Sequence, residues 1–106
     1  MSSLILRYRL KPGVTQADFE HWVRTVDHPT MGALQRVQRF TTYRIEGLLL
    51  GEGAPGCAYV EVFDVPDLAG FAAEDMPGAT VQSIMAQFMG FADAPEFMIA
   101  EVVASS

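Results

Sequence analysis

One cysteine, two histidines and seven lysines plus arginines are all that this 106-residue chain has in thiol, imidazole and cationic groups, and each scarcity removes a class of function. A lone Cys57 cannot close an internal disulfide, which suits a reducing compartment. With two histidines and one cysteine, a zinc-type site would need carboxylates to complete it, and no H-x-x-x-H or C-x-x-C spacing occurs, so no metal is expected. Counting alone leaves a haem held by one histidine open, with nothing in the sequence favouring it. Seven cations against thirteen acids give a net charge of −6, without the basic face that a phosphate backbone needs, so nucleic acid is not an expected partner. No apolar run approaches the roughly 20 residues that span a bilayer, and the first residues read as a strand rather than a signal peptide. A soluble cytoplasmic protein with no membrane association is the simplest expectation.

Hydrophobic residues, by contrast, are abundant, at 50% of the chain with only 19% charged, which fits a folded interior plus an interface. One domain, residues 1–106, is expected. Two strand-like runs, 57–65 and 95–104, are apolar in both alternating registers, whereas a half-buried strand shows one apolar and one polar set. In the first run Ala58, Val60 and Val62 fill one register, and Tyr59, Phe63 and Val65 fill the other together with Glu61. In the second, Met98, Ala100 and Val102 stand against Phe97, Ile99, Glu101 and Val103. So short a chain has too few helices to cover both faces of such a sheet, and the second face should meet another subunit or a ligand.

The remaining elements follow from periodicity and punctuation. Residues 4–10 read as a first strand, with Leu4, Leu6, Tyr8 and Leu10 on one face. Thr15, with Asp18 three residues on, caps a helix whose apolar stripe is Phe19, Trp22, Val23 and Val26. Pro29 ends or breaks this helix, and a short turn over 30–36 carries Met31 and Leu34 inward. Residues 37–50 read as a second strand that loosens into a glycine-rich loop. Pro66-Asp67 opens a short helix with Leu68 and Phe71 inward, interrupted at Met76-Pro77-Gly78, and 79–91 is the last helix, with Val81, Ile84, Met85 and Phe88 in phase. The order βαββαβ predicts an α+β, ferredoxin-like fold with a four-stranded antiparallel sheet. Two copies packed open face to open face would close a dimeric α+β barrel, lined on this reading by Phe97, Ile99, Tyr59 and Phe63 with Glu61 and Glu101.

The loop Gly51-Glu52-Gly53-Ala54-Pro55-Gly56 matches G-x-G-x-x-G, but a strand follows it where a dinucleotide site needs a helix. It reads instead as a mobile hairpin connection at the barrel mouth. His28, at a helix end beside Asp27, is a candidate general base that the carboxylate would orient, although either residue could equally cap the next turn. His21, among Asp18, Glu20 and Arg24, reads as solvated. Glu61 and Glu101 would be poised acids or bases if desolvated, or ion-paired with Arg7 or Arg9 if not. Tyr8, Tyr43 and Tyr59 are candidate donors to a carbonyl-bearing ligand, or core residues with satisfied hydroxyls.

The segments Lys11-Pro12-Gly13-Val14-Thr15, Asp18-Phe19-Glu20-His21-Trp22-Val23-Arg24, Asp27-His28-Pro29-Thr30, Gly47-Leu48-Leu49-Leu50-Gly51-Glu52-Gly53, Tyr59-Val60-Glu61-Val62 and Gln87-Phe88-Met89-Gly90-Phe91-Ala92-Asp93 resemble the REDY-like (HapK) family of the dimeric α+β barrel superfamily. Members of that family accompany bacterial gene clusters for prodiginine-like and other pyrrole- or indole-containing natural products. The wider superfamily includes polyketide cyclases, cofactor-free monooxygenases and haem-degrading enzymes, so the fold alone does not fix the reaction. The resemblance implies a homodimer whose barrel binds a small aromatic, carbonyl-containing intermediate. It also implies a cyclase or condensation-type enzyme without a cofactor, with His28 and Asp27 as the catalytic pair; Glu61, from its place among apolar strand residues, is a further catalytic candidate. Tyr8, Tyr43, Tyr59, Phe63, Phe97 and Ile99 would hold the substrate. A carrier protein for a hydrophobic intermediate and a small monooxygenase are the alternative expectations.

Overall fold

A computed structural model describes residues 2–106. Four strands, β1 (Ser2–Leu10), β2 (Arg39–Arg44), β3 (Tyr59–Asp64) and β4 (Ala92–Glu101), form one antiparallel sheet in the order β2-β3-β1-β4. The helical segments are α1 (Gln16–Trp22), α2 (His28–Met31), α3 (Leu68–Gly70) and α4 (Ala79–Phe91). This is the ferredoxin-like βαββαβ arrangement that the element order predicts, with the helices on one face of the sheet.

The core forms where α1 and α4 lay their apolar stripes on the sheet. Phe19 is fully buried, and Trp22, Val81, Ile84 and Phe88 are buried beside it. Tyr8 and Tyr59, opposite each other on β1 and β3, stack at 5.7 Å, and Phe19 and Phe88 meet them edge-on. Edge-to-face and offset contacts of this kind suit the quadrupoles of the rings. Thr15 caps α1 by accepting from the Asp18 N–H, and Asp67 caps α3 by accepting from the Gly70 N–H.

Pro29 does not end the first helix. Between α1 and α2 the chain stays helical through a π turn, Val23–Asp27, in which the His28 N–H reaches back five residues to the Val23 carbonyl. A second π turn, Phe71–Asp75, follows α3, with the Met76 N–H on the Phe71 carbonyl. A proline stands two residues after each π turn, Pro29 and Pro77, where a missing N–H and a ring in the way of the i−4 carbonyl would break a regular ladder. At Pro77 the helix ends, but at Pro29 widening the preceding turn accommodates the ring and the helix continues. The wider turn also adds one residue to the phase of the helix, so the inward positions after Val23 are Asp27 and Met31, both buried, while Val26 is only half-buried.

The strand ends differ from expectation in two places. β2 is confined to Arg39–Arg44, shorter than the 37–50 run, because the segment after Ile45 has no partner strand. β4 begins at Ala92, ahead of the expected residue 95, and absorbs Pro95 through a bulge: pairing passes from Arg9↔Asp93 to Arg7↔Glu96, with Ala94 at φ 45°.

Candidate active site

Cross-strand partners share a face, so the pairings Leu6↔Glu61, Leu6↔Phe97, Leu4↔Phe63 and Leu4↔Ile99 put Glu61, Phe63, Phe97 and Ile99 on the helix-covered side with Tyr8 and Tyr59. The register expected to line a barrel therefore faces the helices. The bare face carries the other apolar set, Ile5, Val60, Val62, Met98 and Ala100, all half-buried in the single chain. The aromatic stripes of α1 and α4 decide this, because they pack only on the tyrosine register. Tyr43 pairs with Val60 and so lies on the bare face, apart from the other residues expected to hold a substrate.

On the helix side, Phe88 of α4 meets Tyr8 of β1 and Phe97 of β4. A cleft of about 640 Å³ runs there between the sheet, α4 and the Leu68–Met76 segment. Phe97 and Ile99 form its rim, 48% and 72% exposed. All thirteen residues along this cleft are apolar, among them Leu4, Met31, Phe71, Met76 and Met85. At its inner end Leu6, Met31, Phe63, Val81, Met85 and Phe97 continue into a chamber of about 50 Å³, and there the polar groups gather: the side chains of Asp27 and Glu61 both line it.

These carboxyls are 3% and 2% exposed. Desolvation pushes Asp27 up to about 7. Glu61 is pushed up to about 8, mainly by desolvation and further by the neighbouring Asp27 charge, against the lowering effect of the hydrogen bond it accepts from the Tyr8 hydroxyl. Tyr8 is itself raised by burial and by Glu61, so its hydroxyl remains a donor. Both carboxyls are thus displaced toward their neutral forms, and groups shifted in this way can exchange protons near neutral pH.

His28 stands outside this chamber. Its ring stacks on Phe40 at 3.8 Å, with Phe40 on Phe63 at 3.9 Å, and its Nε2 is 2.8 Å from the Thr42 hydroxyl oxygen. Partial burial holds the imidazole below its ordinary value. Among the described residues no hydrogen bond joins His28 to Asp27; the π turn sends the two side chains to different neighbours. Asp27 instead shares the chamber lining with Glu61. Arg7 pairs with Glu96 at 3.0 Å instead of Glu61, and Glu101 lies at the exposed end of β4 near the Ser2 hydroxyl. Tyr59 donates to Glu20 at 2.7 Å and is 1% exposed, and Tyr8 is 2% exposed, so both hydroxyls are already engaged. The glycine-rich 51–56 loop joins β2 to β3 and contributes nothing to the cleft lining. Sequence reasoning gave no part in the cleft to Met31, Met85 and the Leu68–Met76 wall, which read only as packing positions. The signal for Met31 lay in its spacing of four from Asp27.

A family model described as REDY-like protein HapK matches residues 2–103. Among solved structures, the chain is similar to HapK from Hahella chejuensis, at 31% identity and a TM-score of 0.79, covering 100% of this chain and 96% of that one. It is also similar to a dimeric ferredoxin-like protein of unknown function from Thermobifida fusca, at 15% identity and a TM-score of 0.73, covering 95% and 90%. A third is a variant of SnoaB, a cofactor-independent oxygenase from Streptomyces nogalater, at 13% identity and a TM-score of 0.72, covering 98% and 94%. The last two likenesses bear on the fold alone. Comparison with curated proteins returned no match.

Proposed function

The chain belongs to the REDY-like HapK family, and from that premise we propose that it is an acid–base enzyme, a cyclase or condensation-type catalyst acting on an aromatic, carbonyl-bearing intermediate of bacterial natural-product biosynthesis. The observation that carries this reading is the pair of buried carboxyls, Asp27 and Glu61, in one small chamber at the end of an apolar cleft. A cleft of this size accommodates a drug-sized molecule, and its apolar walls would hold an aromatic body while leaving one end to the acids. Asp27 would take a proton from carbon next to a carbonyl, and Glu61, protonated at neutral pH, would give one to the carbonyl oxygen. The resulting enol is a carbon nucleophile able to close a ring within the same bound molecule, provided that the cleft holds the reacting ends together. His28, in contact with Phe40 and Thr42, would support the wall behind Phe63 without touching substrate. Pairing of the bare sheet face with a second copy would make the working unit a homodimer.

A carrier for a hydrophobic intermediate is the competing reading, favoured by the wholly apolar outer cleft. Chromosomal replacements separate the two. With folding checked by circular dichroism, Asp27→Asn and Glu61→Gln are each expected to accumulate the same intermediate as a gene deletion, through a loss of about 10²-fold to 10⁴-fold in turnover. His28→Ala is expected to retain most product. A carrier would tolerate both carboxamide substitutions, and that result would end the enzymatic reading.

A further inference from the structure

The charges around the cleft restrict what can enter it. Among the described residues no lysine, arginine or histidine lines either the cleft or the chamber, and the ionisable groups that do, Asp27 and Glu61, are both acids. Arg36, on the segment leading to β2, is occupied on the far side of the cleft wall by Asp67, Glu74 and Asp75, at 3.2, 3.0 and 3.2 Å. Arg7 is paired with Glu96 on the opposite face of the sheet. The chain as a whole carries −6. An anionic group on a ligand would therefore exchange water for apolar walls and two acids, with no counter-charge to receive it.

We infer that the cleft takes an elongated, apolar molecule bearing no carboxylate, sulfate or phosphate, inserted with one small hydrogen-bonding end against Asp27 and Glu61. This rests on the cleft being the substrate site of the proposed enzyme, and it adds the charge class of the substrate. It implies that the preceding step releases its product free and uncharged, since a molecule still carrying an acid or a phosphorylated carrier would be rejected.

The test uses three fluorescent probes with one skeleton: N-phenyl-1-naphthylamine, which is neutral; 8-anilino-1-naphthalenesulfonate, the anion; and the corresponding sulfonamide, neutral but as bulky as the anion. Titrated into the full chain at neutral pH, the two neutral probes are expected to bind about tenfold or more tightly than the sulfonate, the scale of one unfavourable charge interaction near acids. Ala72→Trp, which fills the cleft from its short helical wall, should abolish binding of the neutral probes. Ile99→Lys, at the exposed rim, should raise sulfonate affinity relative to the sulfonamide by supplying the missing cation. Equal affinity for sulfonate and sulfonamide in the unmodified chain overturns the inference, as does neutral-probe binding that survives Ala72→Trp. Loss of this selectivity leaves the Asp27→Asn turnover result untouched, and selectivity that persists beside a fully active Asp27→Asn chain would remove the enzymatic reading while keeping the ligand class.

Discussion

Two glutamates of this protein each accept a hydrogen bond from a tyrosine, and the two tyrosines stack on each other at 5.7 Å, yet the glutamates titrate in opposite directions. Glu20 accepts from Tyr59 and also from Arg44 and Arg24, at 3.0 and 3.1 Å, and is held below its ordinary value. Glu61 accepts from Tyr8, has no cation beside it among the described residues and is pushed up to about 8. The donor chemistry is shared, so a phenol hydrogen bond alone does not decide ionisation. At Glu20 the Tyr59 hydrogen bond, joined by the arginines, outweighs desolvation, whereas at Glu61 desolvation outweighs the Tyr8 hydrogen bond. The same ring stack thus divides the molecule into a charged, solvent-facing side that fastens α1 to β2 and β3, and a neutral inner side that faces the cleft.

The sharpest way to break the comparison is through pH. Asp27 and Glu61 have ordinary values of 3.8 and 4.5 and folded values near 7 and 8. A raised folded value means that the native state binds protons more readily than the unfolded chain. Their contribution to stability is therefore complete below about pH 4 and is lost as pH rises through 7 and 8. Relative to an Asp27→Asn, Glu61→Gln double variant, the unmodified protein is expected to lose on the order of a few kcal/mol between about pH 5 and pH 8. Thermal unfolding across that range reads the difference, and parallel pH curves for the two proteins would refute it. Glu20 adds nothing in this window, because its lowered value means that its contribution is lost only as pH falls below the ordinary carboxylate range.

Removing each phenol oxygen in turn sharpens the contrast at a smaller scale. Tyr8→Phe leaves Glu61 buried with its hydrogen-bond donor gone, a change that costs about 1–3 kcal/mol. It moves Glu61 further from its ordinary value, because that hydrogen bond was a lowering influence. Tyr59→Phe leaves Glu20 still bound to Arg44 and Arg24, and about 1 kcal/mol is expected, with Glu20 moving back toward its ordinary value. Urea denaturation of both variants at pH 7 measures the two costs, and equal losses would mean that the arginines do not distinguish the sites.

Much of the scaffold around these pairs was legible in the sequence, and the reasons are local. The 79–91 helix follows from Val81, Ile84 and Phe88 recurring at helical spacing, and the strands follow from period-two patterns. Glu61 is found inward because it alternates with Tyr59 and Phe63, and the same parity argument along β2 places Tyr43 opposite Phe40 and Thr42. What parity could not decide is which face of a doubly apolar sheet the helices cover; that required knowing that the Phe19, Trp22 and Phe88 stripes pack on the tyrosines. The pairing of Asp27 with Glu61 was hidden for a different reason. Met76-Pro77 does stop its helix, but His28-Pro29, which reads as a stop too, instead follows a π turn within a continuing helix, and the added residue is what places Asp27 among buried neighbours.

The smallest effect lies on the charged side of the ring stack. Arg44 reaches Glu20 at 3.0 Å, but its own side chain is 43% exposed, so water and salt already screen much of the attraction. Arg44→Ala is expected to cost no more than about 1 kcal/mol in thermal unfolding at low ionic strength, and less when salt is raised. Glu20 keeps Tyr59 and Arg24, so no charge is stranded in the interior. On the inner side the stability slope between pH 5 and 8 should be unchanged, because burial raises both Asp27 and Glu61, with the Asp27 charge a smaller further influence on Glu61. If Arg44→Ala altered that slope, the ring stack would be transmitting charge from one face to the other, and the two glutamates would form one titrating unit in place of two.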